Sequence, residues 1–338
     1  MPPSSLPNES IVHQLMQQAL DEGVFPGAVL LVAREGNILL HRAWGTADLF
    51  SARPVGLDTV FDLASLTKPL ATALAVMRLV ETGRLVLDTP MAAILPTISA
   101  RDKARVTVRH LLSHCSGWPA WQPYFERLRE HPAEARRPLL TQYLADEPLV
   151  AKPGMVHLYS DLDFLALGLL VEACTGVALD RYVRQEIYRP LGIEDLFFNP
   201  LDAAHVLNGV AGHAGLFGTA AAVYALLESL LASYYKEALA VPFSSHLVRT
   251  FWTRARGSTW ALGFDSPSRP TSSSGQYFSA NSIGHLGFTG TSFWTDIERR
   301  ITIVLLTNRI HPSRSNELIR IYRPRIHDAV MRDLLDDA

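Results

Sequence analysis

The chain has 338 residues, 48% of them hydrophobic and 19% charged, enough apolar content for at least one sizeable core and for two lobes. That composition excludes a disordered chain and a small stapled scaffold. With 31 basic against 33 acidic residues the net charge is -2, so no chain-wide field favours nucleic acid or an anionic membrane surface. The basic residues are lopsided: only Lys68, Lys103, Lys152 and Lys236 are lysine and the other 27 are arginine. A desolvated lysine can accept a proton near neutral pH and an arginine cannot, so each lysine is a candidate to be inspected singly.

Cys115 and Cys174 follow no metal-ligand or C-x-x-C spacing and read as free buried thiols. The start, MPPSSLPNES, has neither a basic segment nor an apolar one of the secretory kind, and no apolar run approaches about 18 residues. A cytoplasmic protein that neither spans nor binds a membrane is the expectation.

In chain order, Asn8 is expected to cap a helix with Ile11, Val12, Leu15, Met16 and Ala19 on one face, ending at Gly23. GAVLLVA (27 to 33) and ILLHRAW (38 to 44) form a hairpin across Arg34-Glu35-Gly36-Asn37, whose Gly and Asn accept positive φ. The middle is mostly helical, with periodic segments near 66 to 82, 107 to 114, 121 to 146, 161 to 175, 178 to 188 and 219 to 238. SPSRPTSSSG (266 to 275) reads as a surface loop. A second hairpin, SFWTDI (292 to 297) and ITIVLLTN (301 to 308), precedes a last helix near 323 to 336. The simplest architecture is α+β. Strands from the two ends share one antiparallel sheet flanked by the terminal helices (about 1 to 64 and 210 to 338), and residues about 65 to 209 form a helical lobe, all within one discontinuous domain.

A nucleophilic serine needs a nearby base, and an i, i+3 lysine on a helix places an amine over the face that carries the hydroxyl. The pattern occurs twice, at Ser65-Leu66-Thr67-Lys68 and Ser233-Tyr234-Tyr235-Lys236. Ser233 lies late in a helix, where a hydroxyl faces solvent or bonds back to a carbonyl. Ser65 instead follows the strand-like Val60-Phe61-Asp62-Leu63 and opens an apolar helix with Pro69 in its first turn. There its N–H is free to stabilise an oxyanion.

Two later segments extend the pattern: Tyr159-Ser160-Asp161 at the head of DLDFLALGLLVEA, and His285-Leu286-Gly287 on a candidate strand before the closing hairpin. S-x-x-K, then a tyrosine or serine triplet, then a K-T-G-like triplet is the order of the serine β-lactamase and penicillin-binding-protein superfamily. The chain resembles its class C-like branch, in which the second triplet is Tyr-x-Asn and the third is often His-x-Gly. FDLASLTKPLAT (61 to 72), VTVRHLLSHCSGWP (106 to 119), GVAGHAGLFGTA (209 to 220) and GHLGFTGTSFWTD (284 to 296) carry the likeness along nearly the whole chain.

The resemblance implies that Ser65 forms an acyl-enzyme, with Lys68 and Tyr159 flanking its hydroxyl and either one able to take the proton. It implies an oxyanion hole made by the N–H groups of Ser65 and Phe288. Gly287 keeps the pocket free of a side chain, and His285 supports the Tyr159 and Ser65 region by hydrogen bonding. Asp161 replaces an asparagine by an acceptor-only group, and His285 with Leu286 lacks the lysine and hydroxyl that hold a substrate carboxylate. The implied activity is therefore hydrolysis of an ester or amide, on a small ester, a small peptide or a cell-wall-derived substrate. A true β-lactamase or DD-peptidase is the alternative, and a non-catalytic ligand-sensing or assembly protein is the alternative from another class.

No cofactor or metal is called for. His110 and His114 share a helix face but have neither an H-E-x-x-H glutamate nor a third ligand. The glycines of GVAGHAGLFG do not form a phosphate cradle and read as close-packing positions. Trp118, Trp121, Tyr124 and Phe125 read as core with a pocket-lining option. The oligomeric state is not legible.

Overall fold

The computed structural model describes residues 6, 9–99, 102–199, 207, 209–237 and 242–336. They divide into two compact units, one comprising 1–66, 217–232 and 265–338, the other 67–216 and 233–264. The strands in chain order are β1 Gly27–Arg34, β2 Asn37–Asp48, β3 Arg53–Pro54, β4 Phe61–Asp62, β5 Leu196–Phe198, β6 Leu216–Gly218, β7 Ile283–Leu286, β8 Ser292–Asp296 and β9 Ile301–Thr307.

The first unit is built on a six-stranded antiparallel sheet in the order β3-β2-β1-β9-β8-β7. Both expected hairpins form, and they join through β1 and β9, which pair Val29 with Leu306 and Leu31 with Val304. All seven residues of β9 and seven of the eight in β1 are buried, as expected of central strands covered on both faces. Asn308 locks the seam where the two chain ends meet. Its Oδ1 accepts the Gly27 N–H at 2.8 Å, and its amide donates to the carbonyls of Thr46 and Ala47 at 3.0 Å.

One face of the sheet (Ala28, Leu30, Val32, Trp294, Ile303, Leu305) packs on the two terminal helices through Val12, Met16, Tyr322, Ile326 and Val330. The first helix spans Glu9–Asp21; its expected cap, Asn8, lies outside the described residues. The last begins at Ile319, four residues before the expected start. Asn316, whose Oδ1 accepts the Leu318 N–H at 3.0 Å, sets its entry, and Pro324 is accommodated inside the helix.

The second unit is helical around Asp161–Thr175, a helix apolar on nearly every side because nearly every side is buried (Leu162, Phe164, Leu167, Leu170, Val171). Its limits are the expected ones. Ser160 caps the start by accepting the Leu162 N–H, and Gly176, at φ +72, ends it in the left-handed conformation. The expected segment 121 to 146 is two helices, Tyr124–Leu128 and Ala133–Asp146. Pro132 separates them, since the residue before a proline is held out of the helical region. Residues 233–264, with the helix Ser245–Trp252, belong to this unit, where the Gly263 N–H donates to the Leu112 carbonyl at 2.8 Å.

Candidate active site

Each unit carries part of the residue set. In the first, β4 pairs with β6 (Phe61 with Gly218, Asp62 with Phe217) and leads into Ala64, which has φ +47. An alanine held there costs about 1–2 kcal/mol. The strain is held by the Asp62 carboxylate, which accepts the Ala64 N–H at 2.8 Å. Burial pushes the Asp62 carboxyl above the usual carboxylate range. Ser65 follows in a single tight turn, Ala64–Leu66, closed by the Leu66 N–H on the Leu63 carbonyl.

The turn from β7 to β8 grips this segment. Thr289 Oγ1 donates to the Asp62 carbonyl at 2.6 Å and Thr291 Oγ1 to the Leu63 carbonyl at 3.3 Å. Two successive carbonyls before Ser65 are thus tied to one turn, closed by the Gly287 N–H on the Thr291 carbonyl at 2.7 Å. Sequence reasoning passed over both threonines. Their signal was present as hydroxyls on either side of Gly290, itself at φ +95.

At Gly287 the structure itself demands glycine. A Cβ there would lie 2.0 Å from Thr291 Oγ1 and 2.7 Å from the Leu63 carbonyl oxygen, so the crowding falls on the protein's own backbone. Leu286 is partly buried, its side chain packed against the core under the terminal helices. His285 is buried, with Nδ1 2.8 Å from the Leu286 carbonyl. Phe288 is 54% exposed; Arg309 donates to its carbonyl from Nε and lies 4.7 Å above its ring.

In the second unit, residues 68–73 wind as a wide π-helical stretch that becomes α-helical at Leu74. Lys68, fully buried at its head, places Nζ 2.7 Å from Asp161 Oδ1, 3.1 Å from the His213 carbonyl and 4.9 Å from the centre of the Tyr159 ring. Lys68 and Asp161 form a close ion pair in which the two charges neutralise one another. Burial pushes the ammonium pKa down, but the facing Tyr159 and Asp161 more than offset this, so it lies above the ordinary lysine value. The low lysine pKa entertained from sequence is therefore not what the environment produces.

The glycines near 212 do pack closely. A Cβ on Gly212 would lie 1.9 Å from the Phe164 carbonyl oxygen, and one on Gly168 would lie 3.1 Å from the Gly212 backbone. Thr72 Oγ1 donates to the Gly212 carbonyl at 2.6 Å, so the adjoining His213 carbonyl is held for Lys68. Burial lowers the His213 imidazole to about 4, leaving it neutral at pH 7.

The other candidates take ordinary tasks. His110 accepts the Thr107 N–H within a capping box, whereas His114 lies beyond the end of that helix, so the two do not form a ligand pair. Among the described residues no group of three or more side chains is placed to hold a metal ion. Ser233 is buried and Lys236 exposed, which separates the second Ser-x-x-Lys pair. Trp118 and Tyr124 are core, while Trp121 and Phe125 are about half exposed with rings 6.4 Å apart.

The sequence model of the beta-lactamase family matches residues 12–324. An Escherichia coli K12 protein named "Putative D-alanyl-D-alanine carboxypeptidase" is 30% identical over 88% of this chain and 81% of its own length. A Bacillus subtilis protein named N-acetylmuramyl-L-alanine amidase is 32% identical over 89% of this chain and 80% of its own. Among solved structures, EstCE1, described as a hydrolase with promiscuous acyltransferase activity, superposes with a TM-score of 0.80. It is 24% identical, covering 96% of this chain and 98% of that one, a likeness of fold.

Proposed function

The chain belongs to the beta-lactamase family and is a serine hydrolase; from that premise we propose that it cleaves an ester or amide through an acyl-enzyme on Ser65, with Tyr159 as the proton acceptor. The observation that carries this division of labour is the buried Lys68–Asp161 pair at 2.7 Å. An ammonium held by a carboxylate keeps its proton at neutral pH, which leaves the Tyr159 oxygen, acting as phenolate, as the base.

In the proposed cycle Ser65 Oγ bonds to the substrate carbonyl carbon as its proton passes to unprotonated Tyr159 Oη. The negative charge that develops on the carbonyl oxygen faces the N–H groups of Ser65 and Phe288. Collapse breaks the bond to the alcohol or amine, which leaves with the proton from Tyr159. Water then attacks the acyl carbon as Tyr159 takes its proton, and collapse breaks the bond to Ser65 Oγ, which receives that proton as the carboxylic acid is released. Lys68 remains cationic throughout and stabilises the charge that moves between the oxygens of Ser65 and Tyr159.

Asp161 accepts hydrogen bonds and donates none while ionised, so it suits a substrate that offers an N–H, an ammonium or a hydroxyl. The third motif, with His285 buried and Leu286 partly buried, has no lysine for a substrate carboxylate. We therefore place penicillins and cephalosporins below esters and amides. A cell-wall-derived amide is the substrate class supported by the names of the two bacterial relatives.

A fluorophosphonate probe followed by peptide mass spectrometry tests the nucleophile. Labelling at Ser65 that disappears in Ser65→Ala is expected; equal labelling of the variant overturns the proposal in favour of a non-catalytic ligand-binding role. Turnover of a p-nitrophenyl ester, a muropeptide and a β-lactam by the wild type then ranks the substrates, and a β-lactam turned over fastest would refute the stated preference.

A further inference from the structure

Resting on the reading of Tyr159 as a reacting group, we infer that His114 is the positioning residue that sets Tyr159 in place, the tautomer of its imidazole being fixed by the Ser160 N–H and Asp163 beside it being a neutral buried acid. His114 is buried and has φ +56, the left-handed conformation that a histidine rarely takes. In that conformation one residue holds both neighbours of Tyr159. Its carbonyl accepts the Leu158 N–H at 2.8 Å and its Nδ1 accepts the Ser160 N–H at 3.1 Å. Its ring lies 4.7 Å from the Tyr159 ring and 4.7 Å from the Trp260 ring, while Trp260 lies 5.3 Å from Tyr159.

The grip continues beyond Tyr159. Ser160 Oγ donates to the Pro119 carbonyl at 2.7 Å and the Asp161 N–H to the Ala120 carbonyl at 2.9 Å. The loop 114–120 thereby fixes the backbone of 158–161, and His114 is the only member of it to do so on both sides of the tyrosine.

The bond to Ser160 constrains where protons lie. Nδ1 accepts, so its lone pair is occupied and a neutral ring carries its proton on Nε2. Asp163 Oδ2 stands 3.5 Å from that same Nδ1, with both side chains fully buried. A carboxylate oxygen held against an electron-rich nitrogen in a dry site is repulsive, and a proton on Asp163 removes that charge. The other oxygen, Oδ1, accepts from Ser116 Oγ, and Ser116 Oγ accepts the Trp118 N–H at 3.1 Å. The Ser116 hydroxyl and the Trp118 N–H thus both meet acceptors whether or not Asp163 Oδ2 carries a proton. Burial, the largest influence, also raises the Asp163 carboxyl well above its usual range.

The test uses the full chain and reads the rate of Ser65 acylation by a fluorophosphonate and kcat and KM for a p-nitrophenyl ester. His114→Leu removes the acceptor for Ser160. It is expected to slow acylation and kcat by about ten- to a hundred-fold through misplacement of Tyr159, with KM little changed. His114→Asn keeps a carbonyl acceptor and tolerates the left-handed backbone, and is expected to restore activity to within a few-fold of wild type. Side-chain 15N NMR of wild-type protein is expected to show His114 Nδ1 unprotonated and Nε2 protonated.

A folded His114→Leu that acylates at the wild-type rate, or a failure of His114→Asn to rescue, overturns the inference. So does a proton found on His114 Nδ1, a readout that decides the matter even if His114→Leu does not fold. Failure of the underlying reading is distinguishable, because it would appear as wild-type acylation in Tyr159→Phe whatever the His114 variants do.

Discussion

Asp161→Asn isolates the charge on which the assignment of the base depends. The substitution keeps the shape and removes the carboxylate 2.7 Å from a fully buried ammonium, Asp161 itself being 21% exposed. At an effective dielectric constant of about 20 the attraction at this distance is about 6 kcal/mol, part of which is offset by the cost of desolvating the carboxylate. Breaking a buried pair typically costs about 3–5 kcal/mol, because the remaining charge is left buried.

That cost depends on pH in a direction that can be worked out. In the wild type the folded-state pKa of Lys68 lies above its unfolded value. The contribution of Lys68 to stability is then complete below the unfolded lysine pKa and is lost only as pH rises through the higher folded one. In the variant, burial is opposed by Tyr159 without the carboxylate, so the folded pKa falls relative to wild type. Where the folded protein binds fewer protons than the unfolded chain, stability rises with pH. The deficit of Asp161→Asn should therefore be largest near pH 6 to 7 and narrow toward pH 10.

Thermal unfolding of both proteins across this range, with the alkaline limb of kcat/KM for an ester recorded alongside, measures it. The limb should move to lower pH in the variant as Lys68 becomes able to lose its proton. A deficit below about 1 kcal/mol, the value of an exposed pair, or one that does not change with pH, refutes the claim that Asp161 holds Lys68 as a cation.

The other predictions concern the first unit. Thr289→Val removes the hydroxyl bonded to the Asp62 carbonyl and should cost about 1 kcal/mol in unfolding experiments and slow labelling of Ser65; unchanged labelling would show that the turn does not position the serine. Gly287→Ala forces a methyl against Thr291 and the Leu63 carbonyl and should lower stability by about 1–3 kcal/mol, measured as a fall in Tm. Ala64→Gly accepts φ +47 without the alanine penalty, so its Tm should not fall, whereas Ala64→Val should lower it markedly.

What the sequence by itself determined is local. The helix 161–175 has the expected limits because Ser160 and Gly176 set them through contacts within a few residues. The two hairpins form because their apolar strands and turn chemistry are contained within about twenty residues each. The three motifs were legible as residue types in an order, and that order identified the family.

The tertiary structure decided what depends on residues far apart in the chain. It joined the hairpins through β1 and β9 across some 270 positions, because two continuously apolar strands are buried most completely side by side. It brought Asp161 to Lys68 across 93 positions and so set the charge of an amine whose pKa sequence could only bracket. It placed the hydroxyls of Thr289 and Thr291 under the strand that leads to Ser65, and His114 on both sides of Tyr159. Hydrogen bonding and charge state are properties of an environment. Residue spacing names the groups that react, and only packing sets which protons they hold.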